Sequence, residues 1–314
     1  MKKIIGIALW VCLSQSSSYG QVLPKSTVSI YSSYSESKIL DQNIQESQSD
    51  SLDRAALLIG ISDYPGSDED LEGPELDVYV METLLIANGN FKKEDIVVLK
   101  DEMATRDNIA TQLQRLSWVR KSGVVVVYFS GHGIQLDYDL YEQDERLDGK
   151  DEAIVVYDAS NEWPLIVDDE WDGILNYLNK KRMLVILDSC YSGTATRGLT
   201  DAYAKYSSME ISESSQLDAL AKNDMKSDRF VFSASQSDEV SWSRWFPDFG
   251  NFAGLATVAF ASTWLEAEPK TTMQELLSKS RRLTQQLSLD MSSIQTPDFE
   301  TTSSPNMTVE EFFK

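Results

Sequence analysis

One histidine and one cysteine each follow an apolar run in this 314-residue chain, and together they could form a nucleophilic pair. His132, the only histidine, stands between two glycines at the end of VVVVYFSGHG, and Cys190 ends the run RMLVILDSC. A thiol attacks as the thiolate, and a nearby imidazole can accept its proton and later protonate a leaving amine. Gly131 and Gly133 let the backbone approach a substrate closely, and the N–H groups of Gly133 and Cys190 are candidates for an oxyanion hole.

Cysteine usage supports a reactive role for Cys190. The chain has two cysteines, and Cys12 lies in an N-terminal segment that has the features of a cleaved signal. Once that segment is removed, Cys190 is alone and cannot form an internal disulfide even in an oxidising compartment. The alternative is a buried thiol that packs as a small hydrophobic side chain.

The first 20 residues have the pattern of a secretory signal. Two lysines precede the apolar run IIGIALWVCL, and small residues follow at Ser18 and Gly20. The run is roughly half as long as a membrane-spanning helix. We therefore expect an exported protein, periplasmic or secreted, without stable membrane insertion, while lipid attachment at Cys12 is the alternative.

The charge of the chain restricts its partners. The formal net charge is −22, which argues against nucleic acid and anionic membrane surfaces and would steer basic ligands towards the protein. The alternative is that acidity only keeps an exported protein soluble.

The elements that must position His132 and Cys190 alternate between strand and helix. Short apolar runs separated by stretches of helical period are typical of a mainly parallel sheet flanked by helices. Side chains just past the carboxyl ends of such strands converge on one crevice, where both residues are expected. Strands are predicted at 55–61, 95–99, 124–130, 182–188 and 229–235, with an edge strand in the tail 294–312; helices are predicted at 74–88, 105–118, 168–180, 251–266 and 272–288.

The two motifs resemble those of the caspase-like cysteine peptidases. YFSGHG is followed by LDSCYSG, with the cysteine 58 residues after the histidine, and this arrangement is most similar to metacaspases and their bacterial relatives, the orthocaspases. The resemblance covers roughly residues 54–260, and QTP at 295–297 is also similar to the family. It implies an α/β caspase-like (caspase-hemoglobinase) fold with a mainly parallel six-stranded sheet, and a Cys190/His132 catalytic dyad.

The resemblance also suggests a division of the chain. Residues 200–228 form a long polar interval that is either a processing loop or a surface helix with frayed ends. The expected parts are a signal peptide at 1–20, a flexible leader or pro-segment at 21–52, and a peptidase domain at 53–310, which comprises a large-subunit-like part (53–199), the linker 200–228 and a small-subunit-like part (229–310).

Three aspartates carry what the resemblance implies for specificity. Asp77, in LEGPELDV, matches a metacaspase pocket aspartate, Asp188 stands two residues before the cysteine, and Asp238 follows the fifth strand as in that family. Two opposite charges about 4 Å apart attract by roughly 4 kcal/mol at an effective dielectric of about 20, and desolvation offsets part of this. If about 2 kcal/mol survives, a basic side chain is preferred roughly thirtyfold. The alternative is that Asp77 caps a turn and Asp188 accepts backbone N–H groups.

A calcium site is the weaker implication of the resemblance. Asp151, Asp168 and Asp169 stand at positions similar to a metacaspase calcium site, and calcium binds several oxygen ligands. The family's calcium-dependent members carry an aspartate where this chain has Arg197. We therefore expect no required cofactor, with calcium as the alternative; one histidine and one mature cysteine argue against zinc.

Taken together, these residues predict an exported cysteine endopeptidase that cuts protein or peptide substrates after Arg or Lys. Metacaspases are mostly monomers, so the resemblance implies a monomer. Two alternatives stay open: a catalytically silent caspase-like domain that binds partners, and an Asp-specific peptidase.

Overall fold

The computed structural model of the chain describes residues 52–66, 70–135, 152–158, 165–167, 170–171, 175, 178, 182–190, 228–236 and 239–314. The predicted signal segment and almost all of the leader and of the linker 200–228 lie outside these residues. No helix within the described part of the chain is long and apolar enough to span a bilayer.

Strands and helices alternate along the first half of the domain, as the pattern of apolar runs predicts. The strands are β1 (Leu52–Gly60), β2 (Ile96–Lys100), β3 (Val119–Ser130), β4 (Gly133–Gln135), β5 (Glu152–Val155), β6 (Leu165–Val167), β7 (Arg182–Asp188), β8 (Asp228–Ser233), β9 (Ser243–Phe246), β10 (Asn251–Gly254) and β11 (Asp298–Thr301). The helices are α1 (Pro74–Ala87), α2 (Arg106–Leu116), α3 (Leu255–Leu265), α4 (Met273–Leu289) and α5 (Val309–Phe312).

The central sheet has six strands in the order β11-β8-β7-β3-β1-β2. All neighbours pair in parallel except β11, which runs antiparallel to β8 at the edge. The predicted mainly parallel six-stranded sheet and the edge strand from the tail are therefore confirmed.

The middle strand β3 shows why the sheet has two apolar faces. Its Val124, Val126 and Tyr128 pack in the core with α1, α3 and α4, whereas its alternate residues Val125 and Val127 pack in the core with α2. A strand covered on both faces reads as a continuous apolar run, which explains VVVV in the sequence.

Helix α1 carries Asp77 and begins at a clear sequence signal. Gly73 has a φ of 127°, a conformation that favours glycine, and Pro74 occupies the first helical turn, where its missing N–H costs nothing. Asp77 then falls one turn into the helix, on its buried side.

Two helix predictions need adjustment. The helix predicted over 251–266 begins only at Leu255, because residues 251–254 form β10 and pair with β9. Of the helix predicted over 168–180, residues 170, 171, 175 and 178 are described, and the first three of them are helical.

Candidate active site

His132 and Cys190 occupy equivalent positions on two neighbouring strands. Ser130, the last residue of β3, pairs in register with Asp188, the last residue of β7. His132 and Cys190 each lie two residues past the end of their strand. The Gly131 N–H donates to the Asp188 carbonyl over 3.3 Å, so the two loops leave the sheet side by side.

The loop that carries His132 touches the backbone of Cys190. A Cβ atom placed on Gly133 would lie only 2.2 Å from the carbonyl oxygen of Cys190 and 3.2 Å from Ser189 Cβ. Only glycine fits there without a backbone shift, because a methyl group cannot approach an oxygen so closely. Gly133 therefore joins the two loops, and its predicted role as an oxyanion donor stays a prediction.

Tyr64 fixes the backbone and covers the ring of His132. Its hydroxyl accepts the His132 N–H over 2.8 Å and donates to the Val155 carbonyl over 3.3 Å. The tyrosine and imidazole rings are tilted, with centroids 4.8 Å apart, and His132 is 8% exposed. Sequence reasoning did not single out Tyr64, although it follows the carboxyl end of β1 and the same rule could have found it.

The thiol of Cys190 is hydrogen-bonded by Ser241, just before β9. Cys190 Sγ donates to the Ser241 carbonyl over 3.2 Å and accepts the Ser241 N–H over 3.2 Å. The pKa of Cys190 is raised to about 11, mainly by burial; the Ser241 N–H opposes the shift, and the charge of Asp188 adds to it. At neutral pH the group is thus a thiol, and attack on a carbonyl requires a base.

Asp77 and Asp188 come together around the backbone of Gly254. A Cβ atom on Gly254 would lie 2.4 Å from Asp188 Oδ2 and 3.0 Å from Asp77 Oδ2, so both oxygens lie within 3.0 Å of one point. Asp77 is 1% exposed and Asp188 is 6% exposed. The sequence prediction that these two acids share one site therefore agrees with their positions.

Every carboxylate oxygen of the pair accepts a hydrogen bond. Asp77 accepts from the Gly254 N–H over 2.9 Å and from Ser130 Oγ over 2.9 Å. Asp188 accepts from Ser241 Oγ over 2.7 Å, from the Thr257 N–H over 3.1 Å and from Thr257 Oγ1 over 2.6 Å. These donors come from elements far along the chain, so neither acid acts as a local turn cap.

The acidic pair has no cationic partner among the described residues. Burial raises the pKa of Asp77 well above its usual value, and the charge of Asp188 raises it further. Burial also raises the pKa of Asp188, against the hydrogen bonds from Thr257 and Ser241. No lysine or arginine among the described residues pairs with either carboxylate. A basic side chain entering here would find two acceptors of opposite charge.

Several predicted site residues lie outside the described part of the chain. These are the third specificity acid and the candidate calcium ligands: Asp238, Asp151, Asp168 and Asp169. Among the described residues, no group of three or more His, Cys, Asp and Glu side chains could hold a metal ion.

Three hydroxyl residues of the site were missed by sequence reasoning. Ser130 directly precedes the GHG motif and could have been found from it. Ser241 and Thr257 lie 53 and 69 positions beyond Asp188, and no local pattern marks them. Their roles appear only when β9, β10 and α3 fold onto the end of the sheet.

A cysteine and a histidine that follow neighbouring strands of a six-stranded sheet, beside a buried acidic pair, form the arrangement that the caspase-like resemblance implies. Residues 53–308 match the family model described as the caspase domain. The chain belongs to this family, and the resemblance inferred from YFSGHG and LDSCYSG is confirmed.

Among curated relatives, the chain is similar to metacaspases. It is 37% identical to metacaspase-7 of Arabidopsis thaliana over 146 residues, which are 45% of this chain and 35% of the relative. It is 36% identical to metacaspase-4 of the same plant over 188 residues, 57% of this chain and 41% of the relative. The matched segments therefore span less than half the length of these relatives.

Two solved structures share the fold. A protein from Geobacter sulfurreducens, GSU0716, superposes with a TM-score of 0.56 at 19% identity, covering 82% of this chain and 98% of the other. Caspase-1 from Spodoptera frugiperda superposes with a TM-score of 0.53 at 13% identity, covering 86% and 94%. At these identities the likeness concerns the fold, and the predicted caspase-like fold is confirmed.

Proposed function

We propose that the protein is an exported cysteine endopeptidase that hydrolyses peptide bonds after Arg or Lys. The observation that carries this proposal is the buried pair Asp77 and Asp188, which lacks a cationic partner among the described residues and adjoins the Cys190 thiol through Ser241. Membership of the caspase domain family supports the cysteine-peptidase chemistry.

In the proposed reaction, His132 takes the proton of the Cys190 thiol as Sγ attacks the carbonyl carbon of the substrate. The N–H groups of Gly133 and Cys190 stabilise the oxyanion, each lowering the barrier by about 3 to 4 kcal/mol by analogy with other such donors. His132 then protonates the leaving amine, and water hydrolyses the thioester. The raised pKa of Cys190 makes this base essential, because the resting group is a thiol.

In the proposed specificity, the basic side chain before the cleaved bond reaches the acidic pair and offsets the repulsion between its two carboxylates. If about 2 kcal/mol of this attraction survives desolvation, the preference over a neutral side chain is roughly thirtyfold. An acidic side chain would be repelled by the same carboxylates. Asp238 is proposed as a third acid of this pocket.

A peptidase assay tests the proposal. Purified protein is incubated with fluorogenic peptides that differ only in Arg, Lys, Asp or Ala before the cleaved bond, with and without calcium and reductant. Arg and Lys peptides should be cleaved, and Cys190→Ala or His132→Ala should remove this activity. Wild type and Cys190→Ala that are equally inert under all conditions would favour a silent binding domain, and cleavage of the Asp peptide alone would favour an Asp-specific peptidase.

Export and processing are separate parts of the proposal. Cell fractionation followed by mass spectrometry should find the protein outside the cytoplasm with a new N-terminus near Gln21. The same measurement over time, beside Cys190→Ala, tests whether the leader or the linker 200–228 is cut by the enzyme itself. Stable full-length protein with high activity would contradict self-processing.

A further inference from the structure

Gln295 lies buried at the start of the QTP segment, between α4 and β11. Its side-chain Nε2 donates to the Ala234 carbonyl over 3.0 Å and to Ser241 Oγ over 3.1 Å, and its Oε1 accepts the Trp242 N–H over 3.0 Å. The residue is 1% exposed. Both N–H groups and the oxygen of the amide are therefore engaged by the segment that follows β8.

Ser241 connects this amide to the active site. Its backbone N–H and carbonyl both contact Cys190 Sγ over 3.2 Å, and its hydroxyl donates to Asp188 Oδ1 over 2.7 Å. A hydroxyl has one proton, so a group that donates to Asp188 must accept from Gln295. The amide N–H thus sets the direction in which the Ser241 hydroxyl points.

The segment that carries Gln295 is anchored independently of the nucleophile. The Gln295 N–H donates to Ser288 Oγ over 3.2 Å, and the Thr296 N–H donates to the Glu239 carboxylate. Two residues further on, β11 begins and pairs with β8. These contacts hold the backbone around Gln295 in place, so its side-chain amide keeps a fixed position relative to Ser241.

We propose that Gln295 is a positioning residue of the active site: its carboxamide holds Ser241 so that this one residue contacts both the nucleophile and the acid that receives the substrate's basic side chain. The role of Gln295 in catalysis rests on the proposed function. Its contact with Ser241, and the contacts of Ser241 with Cys190 and Asp188, are observed in the folded chain.

The chain offers a matched control for a buried amide. Gln112 on α2 is 7% exposed, packs on the other face of the sheet from α4, and its Oε1 has no hydrogen-bond partner in the described part of the chain. Replacing either glutamine by methionine keeps length and removes the amide. Only Gln295→Met should disturb Ser241, because Gln295 donates to Ser241 and Gln112 lies on the helix that packs against the other face of the sheet.

The first experiment compares Gln295→Met and Gln112→Met in the full chain, below the thermal midpoint of each variant. Iodoacetamide labelling of Cys190 is followed by peptide mass spectrometry, and kcat and KM are measured with an Arg peptide. Gln295→Met should raise the labelling rate at about pH 7.5 by about tenfold or more, because a displaced Ser241 leaves the thiol more exposed to solvent, and burial raises the Cys190 pKa by more than the Ser241 N–H lowers it. It should lower kcat/KM by about tenfold or more, as expected when about 1.4 kcal/mol of positioning is lost. Gln112→Met should match the wild type in both.

The second experiment uses Gln295→Glu, which keeps the shape and reverses the hydrogen bond. The introduced carboxylate accepts from the Ser241 hydroxyl, which then turns its proton away from Asp188. Within the described part of the chain, the other titratable groups facing Asp188 are Asp77 on α1, Tyr128 on β3 and Cys190 after β7. The hydrogen bond from Ser241 lowers the pKa of Asp188, so that pKa should rise when the bond is lost. The acid limb of kcat/KM for the Arg peptide should therefore move to higher pH in Gln295→Glu, and it should stay in place in Gln112→Met.

These readouts separate the inference from the proposed function. Faster labelling of Cys190 in Gln295→Met, with Gln112→Met unchanged, supports the positioning role even if the wild type cleaves no basic peptide and the proposed function fails. Labelling that is unchanged in Gln295→Met, or raised equally in Gln112→Met, overturns the positioning role. An unmoved acid limb in Gln295→Glu, in a protein that does cleave Arg peptides, overturns it as well.

Discussion

The Cα of Gly133 packs against the carbonyl oxygen of Cys190, so that the histidine loop and the cysteine loop share one backbone contact. An added Cβ would lie 2.2 Å from that oxygen. This contact sets the spacing of the two loops without using either reactive side chain, and it makes Gly133 the most direct test of whether that spacing matters.

Gly133→Ala should lower both activity and stability. The methyl group cannot fit without a backbone shift, which typically costs about 1 to 3 kcal/mol, and the same shift moves Cys190 relative to His132. Denaturant unfolding and kcat/KM with an Arg peptide measure the two effects. The control is Gly250→Asn, because Gly250 has a φ of 60° that asparagine tolerates and nothing stands within 4 Å of an added Cβ. Equal behaviour of the two variants would contradict the prediction.

Asp77→Asn should weaken cleavage after Arg and stabilise the fold at neutral pH. The variant removes one charge; its amide oxygen can still accept the Gly254 N–H, while its NH2 group faces Ser130, whose hydroxyl can accept instead of donate. The value of kcat/KM for the Arg peptide should therefore fall about thirtyfold, relative to a neutral peptide, if about 2 kcal/mol is lost.

The stability effect of Asp77→Asn has a definite sign. The pKa of Asp77 is raised in the folded state, so ionisation costs the wild type stability as pH rises above the usual carboxyl range. Relative to the wild type, Asp77→Asn should therefore increase the free energy of unfolding more at about pH 7.5 than at about pH 4.5. Asp290→Asn, which removes the same charge from an exposed position, is the control. A variant that loses more stability at the higher pH than at the lower would refute this account.

Iodoacetamide should label Cys190 slowly at neutral pH and faster with each step in pH up to about 11. The pKa of the buried thiol is raised to about 11, so the thiolate fraction grows roughly tenfold per pH unit below that value. Labelling rates between about pH 6 and about pH 11, with peptide mass spectrometry to identify Cys190, give the titration curve. A plateau already reached below about pH 8.5 would instead indicate a preformed thiolate and imidazolium pair.

The central sheet is predictable from the sequence because β1, β3 and β7 each contain a stretch that is buried on both faces and is therefore apolar. Because these strands are parallel, their carboxyl ends lie at the same end of the sheet, and this alone places His132 and Cys190 together there. Asp77 is placed only by resemblance to metacaspases, since nothing local in LEGPELDV indicates a buried carboxylate.

The rest of the site depends on contacts across long sequence separations. Ser241, Thr257 and Gln295 reach Asp188 or its neighbours only after β9, β10 and the QTP segment fold onto the sheet. The sequence pattern does not predict the short strands β9 and β10, because four residues carry too little periodicity to distinguish strand from helix or loop. The side chains of Ser241, Thr257 and Gln295 are polar, and no sequence pattern indicates which residues they contact.

Thr257→Val should make cleavage after Arg more sensitive to acid. Thr257 Oγ1 donates to Asp188 Oδ2 over 2.6 Å, and this hydrogen bond lowers the pKa of Asp188 against the effect of burial. Removing the hydroxyl while keeping the branched shape leaves the Thr257 N–H in place but raises that pKa, so Asp188 is ionised only at higher pH. Because an ionised Asp188 attracts the basic side chain, kcat/KM at the acid end should fall about tenfold for the loss of about 1.5 kcal/mol, with little change on the alkaline side.

Tyr128→Phe is the matched control for Thr257→Val. Tyr128 Oη lies 2.6 Å from Thr257 Oγ1, and because the threonine proton goes to Asp188, the tyrosine must donate to the threonine. Tyr128→Phe therefore removes a neighbouring buried hydroxyl without removing the donor to Asp188. The measurement is kcat/KM for Arg and neutral peptides from about pH 5 to about pH 9. The acid limb for the Arg peptide should move to higher pH in Thr257→Val and should move much less in Tyr128→Phe. Equal shifts in both variants, or the same shift with the neutral peptide, would show that Asp188 does not set this limb.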